Sequence, residues 1–234
     1  ASNENPFGPS PKALEAIAKE AKNLHIYPDQ KSILLREALA KHFQLADNNF
    51  ICGNGSDDLL QIIAATYLNP GDEVIISKNT FSIYELVTRI FGGCLTSVAM
   101  ENNALDLEGV AAAVTEKTKL IFLANPNNPT GTIFTDEEFA TFLERVPNNV
   151  IVVVDEAYAE FAESPAYPQT IRHLQSGRNI IALHTFSKFY GLAGLRVGYA
   201  ISRPELINPM FRVKMPFNVN RLAQVGAAAA LEDK

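Results

Sequence analysis

An α/β fold with a mainly parallel central sheet and helices on both faces is the architecture this sequence predicts, and three observations lead to it. Short runs rich in β-branched residues alternate with amphipathic stretches, so that strand, helix, strand recurs five or more times. Residues suited to chemistry fall in loops that leave a strand on the way to a helix, where an open α/β sheet gathers its ligands. With 234 residues, 47% of them hydrophobic, the chain exceeds the common domain size of about 100–150 residues and can bury a large core.

The opening ASNENPFGP is polar and proline-broken, and reads as an extended arm entering a helix at Ser10-Pro11, since proline suits a first helical turn. Lys12 to Leu24 carries apolar residues at helical spacing. Pro28 biases Tyr27 towards an extended conformation, and Ile33 to Phe43 is a second amphipathic helix. Residues 1–30 therefore divide off as arm and first helix, and 31–234 as the large domain. Phe50-Ile-Cys is a short strand that turns through Gly53-Asn-Gly55 into a helix running to about Leu68. The glycines let backbone approach a ligand, while Ser56 and Asp57 offer unpaired N–H groups backed by the helix dipole, the geometry of an anion cradle. The same Ser-Asp pair would serve a plain N-capped helix.

Pro70-Gly71-Asp72 marks a turn, and Glu73 to Ser77 is a buried strand that delivers Thr80-Phe81-Ser82-Ile83-Tyr84 to the next loop. Phe81 is placed either to cover a planar ring or to join the core. Phe81 to Phe91 reads as a helix, Thr96 to Ala99 as a strand, Asp106 to Val114 as a helix and Lys119 to Leu123 as a buried strand. Two prolines and a glycine then stiffen Ala124-Asn-Pro-Asn-Asn-Pro-Thr-Gly and point the Asn128 amide at little entropic cost. A helix from Asp136 to Val146 precedes Val150 to Val154, which ends in Asp155-Glu156-Ala157-Tyr158. A carboxylate directly after five β-branched residues is either a site acid or a solvated strand end. Pro204 to Asn208 reads as a short connection, and Arg221 to Leu231 as an alanine-rich helix.

Composition narrows the function. A net charge of −6 without a basic block argues against a nucleic-acid surface, and the apolar run Ile151 to Val154 is far too short to cross a bilayer. Cys52 and Cys94, with no secretory leader, suit a reducing cytoplasm and two buried thiols. His25, His42, His173 and His184 stand at no metal-ligand spacing, so no metal is expected. Small molecules are the expected partners.

One stretch organises the rest: His184 to Tyr199, HTFSKFYGLAGLRVGY, after the apolar run Ile180 to Leu183. Lys188 stands just past the end of that strand, Arg196 follows eight residues later, and Thr185, Ser187 and Gly191 make the loop hydroxyl-rich and glycine-punctuated. Lysine, hydroxyls and arginine together suggest a phosphorylated aldehyde cofactor; a surface lysine is the plainer reading.

This pattern resembles the fold-type I pyridoxal-phosphate enzymes, and FSKFYGLAGLRVGYA is similar to the histidinol-phosphate aminotransferase branch. NENPFGPS, YPD, GNGSDDLL, NTFSIY, PNNPTG, DEAY and SKFYGLAGLR match that branch in order, over essentially the whole chain. The resemblance implies the large, cofactor-binding domain of a class II aminotransferase, with pyridoxal 5'-phosphate as cofactor. It implies a ping-pong exchange of amino group between histidinol phosphate and 2-oxoglutarate, giving imidazole-acetol phosphate and glutamate. By the same resemblance Lys188 is the Schiff-base and proton-moving lysine, Asp155 the acid at the pyridinium nitrogen, and Asn128 and Tyr158 the partners of the phenolic oxygen. Phe81 is implied to stack on the ring, with Ser56, Asp57, Thr185, Ser187 and Arg196 around the phosphate. Tyr27, in YPD, is implied to reach the phosphate of a neighbouring subunit, hence a homodimer with shared sites. An aromatic-amino-acid aminotransferase, a threonine-phosphate decarboxylase or a silent regulator of the same fold shares much of this machinery. Two departures stand out: Asn79 replaces the usual proline before Thr-Phe, and the sequence stops where the family continues into a small C-terminal domain that supplies a substrate-gripping arginine.

Overall fold

The computed structural model describes residues 2–233. They fall into two compact units, one of residues 2–59 with 184–233, the other Leu60–Leu183. Helix α1 (Pro11–Glu20) begins where proline was expected to start it, with Ser10 Oγ accepting the Ala13 N–H at 3.2 Å. Helix α2 (Ile33–Phe43) is closed by Gln44 in a left-handed conformation. The buried strand β1 (Phe50–Gly53) leads through the glycine turn into α3 (Ser56–Tyr67).

The central unit alternates strand and helix: β2 (Glu73–Ser77), α4 (Ile83–Ile90), β3 (Cys94–Val98), α5 (Leu107–Ala112), β4 (Thr118–Ala124), α6 (Asp136–Arg145), β5 (Ile151–Asp155), α7 (Thr170–Gln175) and the body of β6 (Ile180–Thr185). Its strands are parallel, in the order β3-β2-β4-β5-β6. Strands β4 and β5 are almost wholly buried, as a parallel sheet covered on both faces requires. Side chains alternate accordingly. Ile121, Leu123, Val152 and Val154 pack with Phe139, Phe142 and Leu143 of α6 and Val110 of α5. Phe122, of opposite parity, stacks on Tyr84 of α4 with ring centres 5.1 Å apart. Helix α6 starts with a capping box in which the Thr135 and Glu138 side chains exchange hydrogen bonds with each other's backbone. The parallel register ends with Ala124 beside Asp155 and Asp155 beside Leu183, so β4 and β5 end level while β6 runs two residues further.

In the other unit, β7 (Gly198–Ile201) pairs antiparallel with β1, from Phe50 opposite Ile201 to Gly53 opposite Gly198. Helices α8 (Pro204–Val213) and α9 (Arg221–Ala230) follow. Gly226 lets α9 lie close on α1, since a Cβ there would stand 3.0 Å from Ile17, and Arg221 pairs with Glu20 at 2.7 Å.

Three expectations need correcting. Pro204 to Asn208 is not a connection but the first half of α8: Pro204 occupies the first helical position, where a missing N–H costs nothing, and Leu206, Ile207 and Met210 turn inward. Helix α7 was not expected at all. Cys94 is exposed, because β3 has one parallel neighbour only, β2, and a mostly open burial pattern.

Candidate active site

Within the first unit, the loops after β1 and β6 converge around Arg196. Gly55 has φ of +85°, which glycine takes without a Cβ penalty, and any Cβ built there would run into the Arg196 guanidinium. Arg196 reaches Asp57 Oδ2 at 3.5 Å, Ser187 Oγ at 3.4 Å and the Ala193 carbonyl at 3.3 Å. Its own backbone is left-handed, φ 55°, a strain of about 1–3 kcal/mol that persists only where the surroundings impose it. Ser187 N–H donates to Thr185 Oγ1 at 3.1 Å. The structure thus brings Ser56, Asp57, Thr185, Ser187 and Arg196 together, at the dipole-positive start of a twelve-residue helix.

Lys188 is half-buried just past β6, and its Nζ donates to the Ser2 carbonyl at 2.7 Å. Asn5 Nδ2 donates to the Phe189 carbonyl, also at 2.7 Å, so the N-terminal arm lies along the lysine loop. Tyr27 is 76% exposed, its ring stacked on Phe217 at 4.8 Å.

Within the central unit, Asp155 is 6% exposed at the end of β5. Its Oδ2 accepts the Tyr84 hydroxyl at 2.7 Å and its Oδ1 the Ala157 N–H at 3.1 Å. A strand-end acid held this way is no solvated surface group. Phe81, half-buried, meets the Tyr84 ring edge-on at 5.7 Å, so one tyrosine links the ring candidate to the acid. Sequence reasoning quoted Tyr84 but gave it no role. Glu156, also buried, is engaged elsewhere, accepting the Thr170 hydroxyl at 2.7 Å and the Tyr167 hydroxyl at 3.5 Å. Tyr167 also donates to the Asn125 carbonyl, and burial, reinforced by the Glu156 charge, pushes its pKa far above the ordinary phenol range. Asn128 is half-buried in a loop with cis bonds before Pro126 and Pro129, and Tyr158 is half-buried ahead of a short 3₁₀ turn.

That loop is braced by Asn127, which accepts the Thr80 hydroxyl at 2.8 Å and donates to Thr130 Oγ1 at 2.8 Å and the Asn79 carbonyl at 3.3 Å. Asn79 has φ of +53°, which proline's ring forbids. Asparagine at this position therefore takes a backbone that proline could not, and the Asn127 bonds keep the loop tied.

Among the described residues no group of three or more His, Cys, Asp and Glu side chains could hold a metal, and no helix is long and apolar enough to cross a membrane. His25 and His42 are exposed, His173 pairs with Asp136 at 2.9 Å, and His184 is stacked on Tyr199.

The fit of an anion to this cradle rests on Gly198 as well. A Cβ at Gly198 would stand 2.9 Å from the Ser56 nitrogen and 2.8 Å from the His184 carbonyl oxygen. Gly198→Ala should displace that N–H and weaken inorganic phosphate binding by about ten- to a hundredfold, the loss of one hydrogen bond to a charged group. Titration calorimetry of both proteins checks it; unchanged affinity would place the anion elsewhere.

Comparison with known proteins agrees with this geometry. The whole chain, residues 1–234, matches the family described as aminotransferase class I and II. It is 48% identical over 235 residues to a histidinol-phosphate aminotransferase of Moorella thermoacetica and 47% identical over 233 residues to one of Hydrogenovibrio crunogenus, covering all of this chain but 61% and 62% of those proteins. The chain thus spans about three fifths of their length. Its structure superposes, with a TM-score of 0.93 and 34% identity, on histidinol-phosphate aminotransferase from Sinorhizobium meliloti in complex with pyridoxal-5'-phosphate, over 100% of this chain and 63% of that one. A match along its full length, with the lysine, acid and anion loops each at a strand's end, means that this chain belongs to the class I and II aminotransferases.

Proposed function

We propose that the protein of which this chain is part transfers the amino group of histidinol phosphate to 2-oxoglutarate, using pyridoxal 5'-phosphate held by the residues above. The observation that carries the substrate reading is the 48% identity to the Moorella thermoacetica enzyme, sustained over the whole chain. The residues present suit the cofactor: an amine, an ordered buried acid, an aromatic ring and an anion cradle.

Bound pyridoxal phosphate supplies an aldehyde carbon and an electron-accepting ring. Lys188 Nζ would be the amine that holds the aldehyde carbon and would move a proton to and from the substrate Cα, exchanging for this its bond to the Ser2 carbonyl. Asp155 holds a proton at the ring nitrogen, its carboxylate aimed by Tyr84 and the Ala157 N–H. Asn128 and Tyr158 orient the phenolic oxygen, and Phe81 covers a ring face. The N–H groups of Ser56 and Asp57, with Thr185, Ser187 and Arg196, bind the phosphate.

We further infer a cytoplasmic homodimer with shared sites. Leu24, Ile26, Tyr27, Met215 and Phe217 are all more than two fifths exposed and the Tyr27 ring stacks on Phe217, which supports a protein–protein contact from which Tyr27 would enter the neighbouring site.

A donor panel on the full-length protein tests the function. Single-turnover conversion with histidinol phosphate should exceed that with phenylalanine or aspartate by about a hundredfold or more, the discrimination reached when a site's buried polar groups are left unpaired by the wrong ligand. Faster conversion of phenylalanine, or release of carbon dioxide from threonine phosphate, would replace this reading with another activity of the same fold.

A further inference from the structure

Lys214 is a buried cation, 8% exposed, that the proposed chemistry does not use. Its Nζ donates to Asn218 Oδ1 at 2.5 Å, to the Gln30 carbonyl at 2.9 Å and, less closely, to the Met215 carbonyl at 3.4 Å. Asn218 Nδ2 passes the connection on, donating to Asp58 Oδ2 at 2.6 Å, and the same oxygen accepts the Asn54 N–H at 2.8 Å. Asp58 lies in the first turn of α3 and Asn54 in the glycine turn before it, so the chain of bonds ends in the anion cradle.

At its other end the chain of bonds reaches the segment that carries Tyr27. Arg221 donates to the carbonyls of Ile26 at 3.3 Å and Tyr27 at 2.8 Å, and Gln224 to that of Asp29 at 2.9 Å. With Lys214 on Gln30, four carbonyls in five residues accept from three side chains of residues 214–224. The Tyr27 ring is exposed while its backbone is gripped. A side chain presented outward on a fixed backbone is suited to act outside its own subunit.

We propose that Lys214 is a positioning residue that couples anion binding at the Gly53–Ser56 turn to the placement of the Tyr27 segment, through Asn218 and Asp58. Each connection involves a charged partner or a buried amide and is short, so fixing the turn on an anion fixes Asp58, then Asn218, then Lys214 and Gln30. Coupling of this kind is reciprocal: an ordered Tyr27 segment tightens the anion site of its own subunit. The inference rests on the anion role proposed for the turn, and does not require the dimer.

Hydrogen exchange of the native protein with and without inorganic phosphate tests it. Phosphate should slow exchange at residues 53–57 and also, about fivefold or more, at the amides of Ile26, Tyr27, Asp29 and Gln30. Lys214→Met, apolar and of similar length, should keep the first effect and lose the second; a merely structural lysine would leave the phosphate response of the two segments linked. Asn218→Ala interrupts the same connection one bond on and should behave alike, should Lys214→Met not fold. Protection confined to 53–57 in the native protein, or transmitted equally in the variants, overturns the coupling. No protection at either segment overturns the anion role and the coupling with it.

Discussion

Lys188→Ala is expected to abolish transamination, with a rate loss of at least about 10⁴-fold, because the amine proposed both to attach the cofactor and to carry the proton is removed. The measurement is single-turnover conversion by the full-length protein, paired with borohydride treatment of the cofactor-loaded native enzyme and peptide mapping. The label should sit on Lys188 and nowhere else. A reduced peptide centred on another lysine would remove Lys188 from the chemistry, whatever its variant's rate. The structure makes this a clean test: Lys188 is half-buried and its Nζ donates to a backbone carbonyl, so alanine opens no large cavity.

Asp155→Ala should cost about 10²–10³ in rate, the usual loss when one preorganised electrostatic group is removed, while the anion cradle, built from other residues, keeps its phosphate affinity. Tyr84→Phe is the companion variant. It retains the ring that stacks on Phe122 and deletes only the hydroxyl that donates to Asp155, and should cost about ten- to a hundredfold, the worth of a hydrogen bond to a charged group. Near-native turnover by Asp155→Ala would exclude the ring-nitrogen role. If Tyr84→Phe were as damaging as Asp155→Ala, the tyrosine would have a function of its own beyond aiming the carboxylate.

Much of this molecule was legible in its sequence because parallel strands buried on both faces write themselves as short β-branched runs, and the residues that follow them in an α/β fold stand at one edge of the sheet. Asp155 and Lys188 were singled out that way, one after Val150 to Val154, the other beyond the run Ile180 to Leu183, and the structure puts the first at the end of β5 and the second just past β6. What stayed hidden depended on distant partners. The Tyr84 hydroxyl finds its acid 71 positions away, and Lys214 a carbonyl 184 positions back; neither spacing has a period to detect. Helix α8 was missed for a local reason. Pro204 to Asn208 reads as a connection, whereas Pro204 sits at the first helical position, where a helix tolerates it, and three inward apolar side chains supply the packing. The left-handed backbone at Arg196 was likewise invisible, since arginine does not announce that conformation as glycine or asparagine does.

The two cysteines divide the chain's thiol reactivity between folded and unfolded states. Cys52 is sealed in β1 and burial pushes its pKa up to about 12, so at neutral pH it offers no thiolate to an alkylating reagent, while Cys94 lies open on the outermost parallel strand. A maleimide dye therefore has a single address on this folded chain, on the strand at the far end of the parallel order from β6. A second equivalent is taken up only as β1 opens, which turns the stoichiometry of labelling into a gauge of unfolding that needs no engineered reporter.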